Sequence, residues 1–80
     1  MDIENKIREI VCQQLDAAPE QVLRNTLFVD DLGADSLTVM ELVLALEEEF
    51  EIDIPENDIE EMRTFGDVVA FIAAKDHVFA

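Results

Sequence analysis

Between Ser36 and Phe50 the chain runs without a glycine or a proline, and no other stretch constrains the fold as strongly. Leu, Met, Ala and Glu, all good helix formers, dominate it, and Asp35 stands directly before it as an N-cap, so the spacing predicts one helix over 36–50. At about 100° per residue Val39, Leu42, Val43, Leu46 and Phe50 fall on one side, while Leu37, Met40 and Leu44 fall nearly opposite. The first set is a core face. A lone amphipathic helix cannot bury such a face, so the remaining residues must supply partners for it.

Those partners are helical as well. Ile3, Ile7, Ile10, Val11 and Leu15 recur at helical spacing behind Asp2, a second N-cap, and predict a helix over 3–15. From Asp16 to Asp35 the chain is punctuated by Pro19, Asn25-Thr26 and Gly33, which predicts a long loop; Val22, Leu23, Leu27, Phe28, Val29 and Leu32 are its expected apolar anchors. Pro55 opens a short acidic helix to about Met62 with Ile54, Ile59 and Met62 facing inward. A last helix starts at Thr64, whose spacing to Asp67 is a short-side-chain capping box, and buries Val68, Val69, Phe71 and Ile72. No segment shows strand periodicity. The expected fold is therefore all-α: a small bundle of three main helices plus one short helix, with a long loop between the first two, forming a single domain over 1–80.

Eighty residues suffice for one core but bury only about 60–65% of the unfolded chain's surface, which leaves little room for a deep catalytic cleft. Half of the residues are apolar, so the chain folds despite a net charge of -15. That charge repels nucleic acid and anionic membrane surfaces and favours basic protein partners. Cys12 is the one cysteine and has no internal disulfide partner, which fits a reducing compartment. The start of the chain lacks the basic and apolar runs of a signal peptide, and the expected location is the cytoplasm.

Ser36 follows an acidic turn, Asp30-Asp31-Leu32-Gly33-Ala34, and opens the best helix. A serine at a helix start is ordinarily its cap, but Asp35 already serves, which leaves the Ser36 hydroxyl free. Self-catalysis lacks its machinery: His77 is the one histidine, no Gly-x-Ser-x-Gly elbow surrounds Ser36, and nearby carboxylates oppose an oxyanion. The residues describe a serine that another enzyme modifies, with no catalytic residue in the chain itself. An EF-hand started at Asp30 would place Glu41 at its twelfth position, yet Leu32 and Ala34 occupy its third and fifth and Gly33 its fourth. No specific metal site is expected.

Asp31-Leu32-Gly33-Ala34-Asp35-Ser36-Leu37 resembles the phosphopantetheine attachment motif of acyl carrier proteins. The similarity continues through Glu41-Leu42-Val43, Ala45-Leu46-Glu47-Glu48-Glu49-Phe50, Ile54-Pro55 and Thr64-Phe65-Gly66-Asp67-Val68-Val69. This resemblance implies a 4'-phosphopantetheine arm on Ser36, flanked by Asp35 and Leu37, that carries acyl groups as thioesters through fatty-acid biosynthesis. Peptidyl and alanyl carriers use a similar serine. Thr38 departs from the acidic residue often found there in bacterial fatty-acid carriers and alters one partner contact. The resemblance also implies an interior that shelters the acyl chain, for which Leu46, Ile54, Ile59 and Met62 are the candidate lining.

Beside that site, Leu37, Met40 and Leu44 are interleaved with Glu41, Glu47 and Glu48, an arrangement suited to docking. Residues 25–62 hold thirteen carboxylates and no Lys or Arg. The expected partners are a phosphopantetheinyl transferase and fatty-acid synthesis enzymes, met by a monomer through their basic surfaces.

So many uncompensated carboxylates repel one another more in the compact state than in an expanded chain. The Debye length contracts from about 30 Å at 0.01 M to about 10 Å at 0.1 M, so added salt should raise the thermal midpoint. Divalent cations should raise it further than sodium at equal ionic strength, and melting curves over one salt series check both.

Overall fold

The structure, a computed structural model, describes residues 2–76; His77 and Phe79 lie outside them. Four helices form: α1 (Ile3–Leu15), α2 (Ser36–Phe50), α3 (Glu56–Glu61) and α4 (Phe65–Asp76), with a 3-10 turn over Pro19–Gln21. Among the described residues there is no strand, and one isolated antiparallel bridge joins Leu27 to Thr64. The all-α bundle expected from helical periodicity is the fold observed.

Local chemistry sets the boundaries. Asp2 caps α1 by accepting the Asn5 N–H at 2.8 Å, and the helix ends where Asp16 turns left-handed at φ 53°. Ahead of α4 the capping is reciprocal: Asp67 N–H donates to Thr64 Oγ1, while Thr64 and Arg63 N–H groups donate to Asp67 Oδ2, each at 3.1 Å. Gly66 in the first turn of α4 approaches the loop closely, and its N–H donates to the Arg24 carbonyl at 2.8 Å. A Cβ there would stand 2.7 Å from that oxygen, so the contact requires glycine.

The core lies where α1, α2 and α4 meet, and its fully buried side chains include Ile7, Val11, Leu42, Leu46, Phe65 and Ile72. Val68 is buried with them, whereas Val69 and Phe71 are half-buried at the margin. Arg8 binds three elements together: Nε donates to the Val22 carbonyl at 3.0 Å, and the guanidinium lies 4.9 Å from the Phe65 ring centroid. Lys6 pairs with Glu49 at 3.3 Å across α1 and α2.

The loop before α2 departs from its expected pattern. Val22 and Phe28 are buried and Leu27 and Leu32 partly so, but Leu23 and Val29 are exposed. Hydrogen bonds explain the difference. Asp31 Oδ2 accepts the Leu27 N–H at 2.8 Å, the Asp31 and Leu32 N–H groups return to the Leu27 carbonyl, and Gly33 N–H reaches the Val29 carbonyl. This tight winding turns Phe28 and Leu32 inward and Val29 out. Much of the pinning falls to Thr26, a buried polar residue whose hydroxyl donates to the Gln21 carbonyl at 3.0 Å and accepts the Leu23 N–H at 2.8 Å.

Cys12 is half-buried and packs against the core, and the left-handed turn at Asp16 brings the Ala17 N–H to the Cys12 carbonyl at 3.1 Å. Burial pushes the Cys12 thiol up from its ordinary pKa and keeps it protonated.

Thr26→Val preserves the shape of that side chain and deletes its hydrogen bonds. It should cost about 1–3 kcal/mol in urea unfolding, with Thr26→Ser recovering most of the loss; a Val variant as stable as the parent would show that apolar anchoring alone holds the loop.

Candidate functional site at the start of the second helix

Gly33 enters α2's approach with φ 71°, and because nothing lies within 4 Å of where its Cβ would stand, the requirement is conformational rather than spatial. Ala34 follows, buried, with its N–H on the Phe28 carbonyl at 2.9 Å. The chain is thus anchored one residue before the cap. Asp35 is extended and its Oδ1 accepts two hydrogen bonds at 2.9 Å, from the Thr38 N–H and from the Thr38 hydroxyl. These two bonds, the backbone one first, hold the Asp35 carboxyl below the usual carboxylate range.

Ser36 is the first residue of α2 and is exposed, and among the described residues its hydroxyl makes no hydrogen bond. The cap's geometry accounts for this: Asp35 satisfies the helix end and Thr38 satisfies Asp35, so nothing calls on the neighbouring hydroxyl. Leu37 projects outward at 68% exposure.

Ser36 also lines a depression of about 640 Å³ between α2 and α3, together with Val39, Met40, Val43, Ile54 and Ile59. Of the four residues named for an acyl lining, Ile54 and Ile59 are there. Met62 lines an adjoining depression of about 290 Å³ that shares Val29, Val39, Ile59 and Glu60 with the first. Leu46 lines neither: it is buried in the core, on the helix that packs against α1. The wall contributed by α2 was not picked out from the sequence, although a signal existed. Val39, Met40 and Val43 follow Ser36 at spacings of three, four and seven, the same stripe of one helix.

Around this site Met40 and Leu44 are 45% and 55% exposed, and Glu41 and Glu48 are exposed. Glu47 differs from them. It is half-buried, and its Oε2 accepts the Ile54 N–H at 2.8 Å. Among the described ion pairs the acidic stretch from 25 to 62 contributes Glu49 alone; the others join Glu4 to Arg8 and Arg24. Among the described residues no three His, Cys, Asp or Glu side chains converge to hold a metal ion, and no helix is long and apolar enough to cross a membrane.

The cap makes stability depend on acid in a defined direction. Because folding depresses the Asp35 pKa, its contribution is complete above the unfolded value of about 3.9 and is lost as pH falls through the lower folded value. Asp35→Ala should therefore lower the thermal midpoint at neutral pH, and the gap between variant and parent should close as the pH is taken below about 4. A gap independent of pH would mean that the carboxylate's charge does not cap α2.

Comparison with known proteins places this geometry. Residues 5–72 match the family model for the phosphopantetheine attachment site. The chain is 53% identical over 74 residues to the acyl carrier protein of Caulobacter vibrioides (strain NA1000 / CB15N), covering 92% of this chain and 95% of that one. It is 52% identical over 71 residues to the acyl carrier protein of Phenylobacterium zucineum (strain HLK1), covering 89% and 90%. The structure matches that of a putative acyl carrier protein from Mycobacterium tuberculosis with a TM-score of 0.85 and 34% identity, over 91% of this chain and 97% of that one. The free hydroxyl at a capped helix start, the all-α bundle and these matches lead to one conclusion: the chain belongs to the phosphopantetheine-attachment family as an acyl carrier protein, a carrier and not an enzyme.

Proposed function

We propose that Ser36 is the residue esterified by 4'-phosphopantetheine and that the chain, as a single carrier domain and a monomer, hands acyl thioesters between enzymes of fatty-acid synthesis. The observation that carries this reading is the position of the Ser36 hydroxyl, which is exposed, without a hydrogen bond among the described residues, and on the lining of the depression between α2 and α3. An arm attached there supplies a terminal thiol on which acyl groups ride as thioesters. The chain's own residues do the rest. The N-terminus of α2 favours the phosphodiester's negative charge, against opposition from Asp31 and Asp35. Asp35 and Leu37 flank the hydroxyl and present it in a fixed frame, and the apolar wall of Val39, Val43, Ile54 and Ile59 offers an acyl chain cover from water.

Docking would use Leu37, Met40 and Leu44 with Glu41 and Glu48 around them. The exposure of all five supports this, as does the acidity of residues 25–62. Glu47 drops out of the set because its carboxylate is engaged with Ile54. Carboxylates steer a basic partner over a Debye length of roughly 10 Å, and a small apolar contact then releases quickly, as a shuttling carrier requires. A cytoplasmic setting fits the lone protonated thiol of Cys12.

Incubation with coenzyme A and a phosphopantetheinyl transferase should add one arm, located on Ser36 by peptide mapping, and Ser36→Ala should take none. An arm mapped to another residue would refute the assignment. With the arm-free protein in stopped-flow binding to the transferase, Glu41→Lys and Glu48→Lys should slow association, whereas Leu37→Ala and Met40→Ala should chiefly speed dissociation. Unaltered rates in all four, with helicity intact, would remove the docking surface.

A further inference from the structure

α3 is poorly equipped to hold its own place. It has six residues, none of them buried, and its N-cap, Pro55, provides no side-chain hydrogen bond. A helix that short is not stable by itself and depends on its flanks. On the C-terminal side Met62 is buried; on the N-terminal side the flank is Ile54, 5% exposed, at the end of the segment that leaves α2.

That segment is tied to α2 through one residue. The Glu51 N–H, in a left-handed cap at φ 53°, and the Ile52 N–H, at 3.2 Å, both donate to the Glu47 main-chain carbonyl. The Ile54 N–H donates to the Glu47 side chain, Oε2, at 2.8 Å in a part-buried setting. Among the described residues, Glu47 thus accepts every hydrogen bond that joins 51–55 to α2. Glu47, Ile54 and Ile59 all line the depression that Ser36 borders.

We infer that Glu47 is a positioning residue, a latch whose carboxylate holds the Ile54 amide and, through it, the α3 wall against α2, so that it governs how tightly the arm's cargo is covered. The cargo half of this inference rests on the reading that the depression shelters an acyl chain. The hydrogen bond does not. A carboxylate accepting a backbone N–H away from bulk water is among the stronger hydrogen bonds in proteins, so its loss should open the 52–55 segment without unfolding the bundle. The role also sets Glu47 apart from Glu41 and Glu48, whose carboxylates face solvent and can meet a partner.

The test uses Glu47→Ala, which removes the acceptor, and Glu47→Gln, which removes the charge and keeps an acceptor oxygen. In the arm-free chain, exchange of the Ile54 amide, measured against core amides such as Leu42 and Ile72, should quicken by about tenfold or more in Glu47→Ala and stay near the parent in Glu47→Gln. After loading with an octanoyl thioester, cleavage by hydroxylamine should be several-fold faster in Glu47→Ala alone. Ile54 exchange unchanged in Glu47→Ala, equal acceleration of core amides, or a Gln variant that behaves like Ala would each overturn the latch. If Ile54 opens as expected and the thioester, confirmed on Ser36, is cleaved equally in all three proteins, the link from latch to cargo is overturned while arm attachment stands. Failure of all three proteins, the parent included, to take an arm on Ser36 would instead refute the assignment of Ser36 and leave the latch to be decided by the exchange data.

Discussion

The start of α2 rests on the two hydrogen bonds that the Asp35 carboxylate accepts from Thr38. They start α2, and α2 supplies both the central wall of the core and the wall of the depression facing α3. They also decide which side chain at the helix start is left over. With a serine in the capping role, its oxygen would be committed to a backbone N–H. With the aspartate capping and Thr38 bonded to the aspartate, the Ser36 hydroxyl at the helix start makes no hydrogen bond among the described residues and stays exposed. Thr38 thus has a structural role at the helix start through its two hydrogen bonds to Asp35.

Charge is shared unevenly between the two halves of the molecule. The positively charged residues described on the α1 side are engaged at home: Arg8 joins α1, the loop and α4, Arg24 binds Glu4, and Lys6 reaches Glu49. The acidic half, from residue 25 to 62, is left with its charge almost uncompensated. A protein optimised for stability alone would not concentrate like charges this way, since exposed pairs contribute little but like-charge crowding opposes the compact state. The arrangement makes sense if the compensating charges belong to other proteins.

Much of this was legible from residue spacing, and the parts that were not share a physical cause. Helix starts announced themselves through Asp2, Asp35 and the Thr64–Asp67 pair, because a cap is a local interaction between residues a few positions apart. The core face of α2 was equally plain from periodicity. The loop was harder: Leu23 and Val29 look like anchors by composition, yet the hydrogen bonds around Leu27 and Asp31 turn Val29 outward, and Thr26 does pinning that no hydrophobic pattern predicts. Glu47 reads as one of three consecutive glutamates, and its inward turn depends on the Ile54 amide, which the chain brings near only after reversing direction at Glu51. The close approach of Gly66 to Arg24 left no mark in the sequence beyond the glycine itself. The α2 wall of the depression follows from helical spacing counted from Ser36, which is as informative as spacing along a core face.

On the proposed reading attachment point and shelter form one continuous site, with the arm anchored at Ser36 and its cargo lying between α2 and α3. It is tested most directly by nuclear Overhauser contacts between an octanoyl chain on the arm and the methyl groups of the protein. Contacts are expected to Val43, Ile54 and Ile59 and none to Ile7 or Val11 on the α1 side of the core. An octanoyl chain that contacted the α1 side, or no methyl group at all, would contradict it.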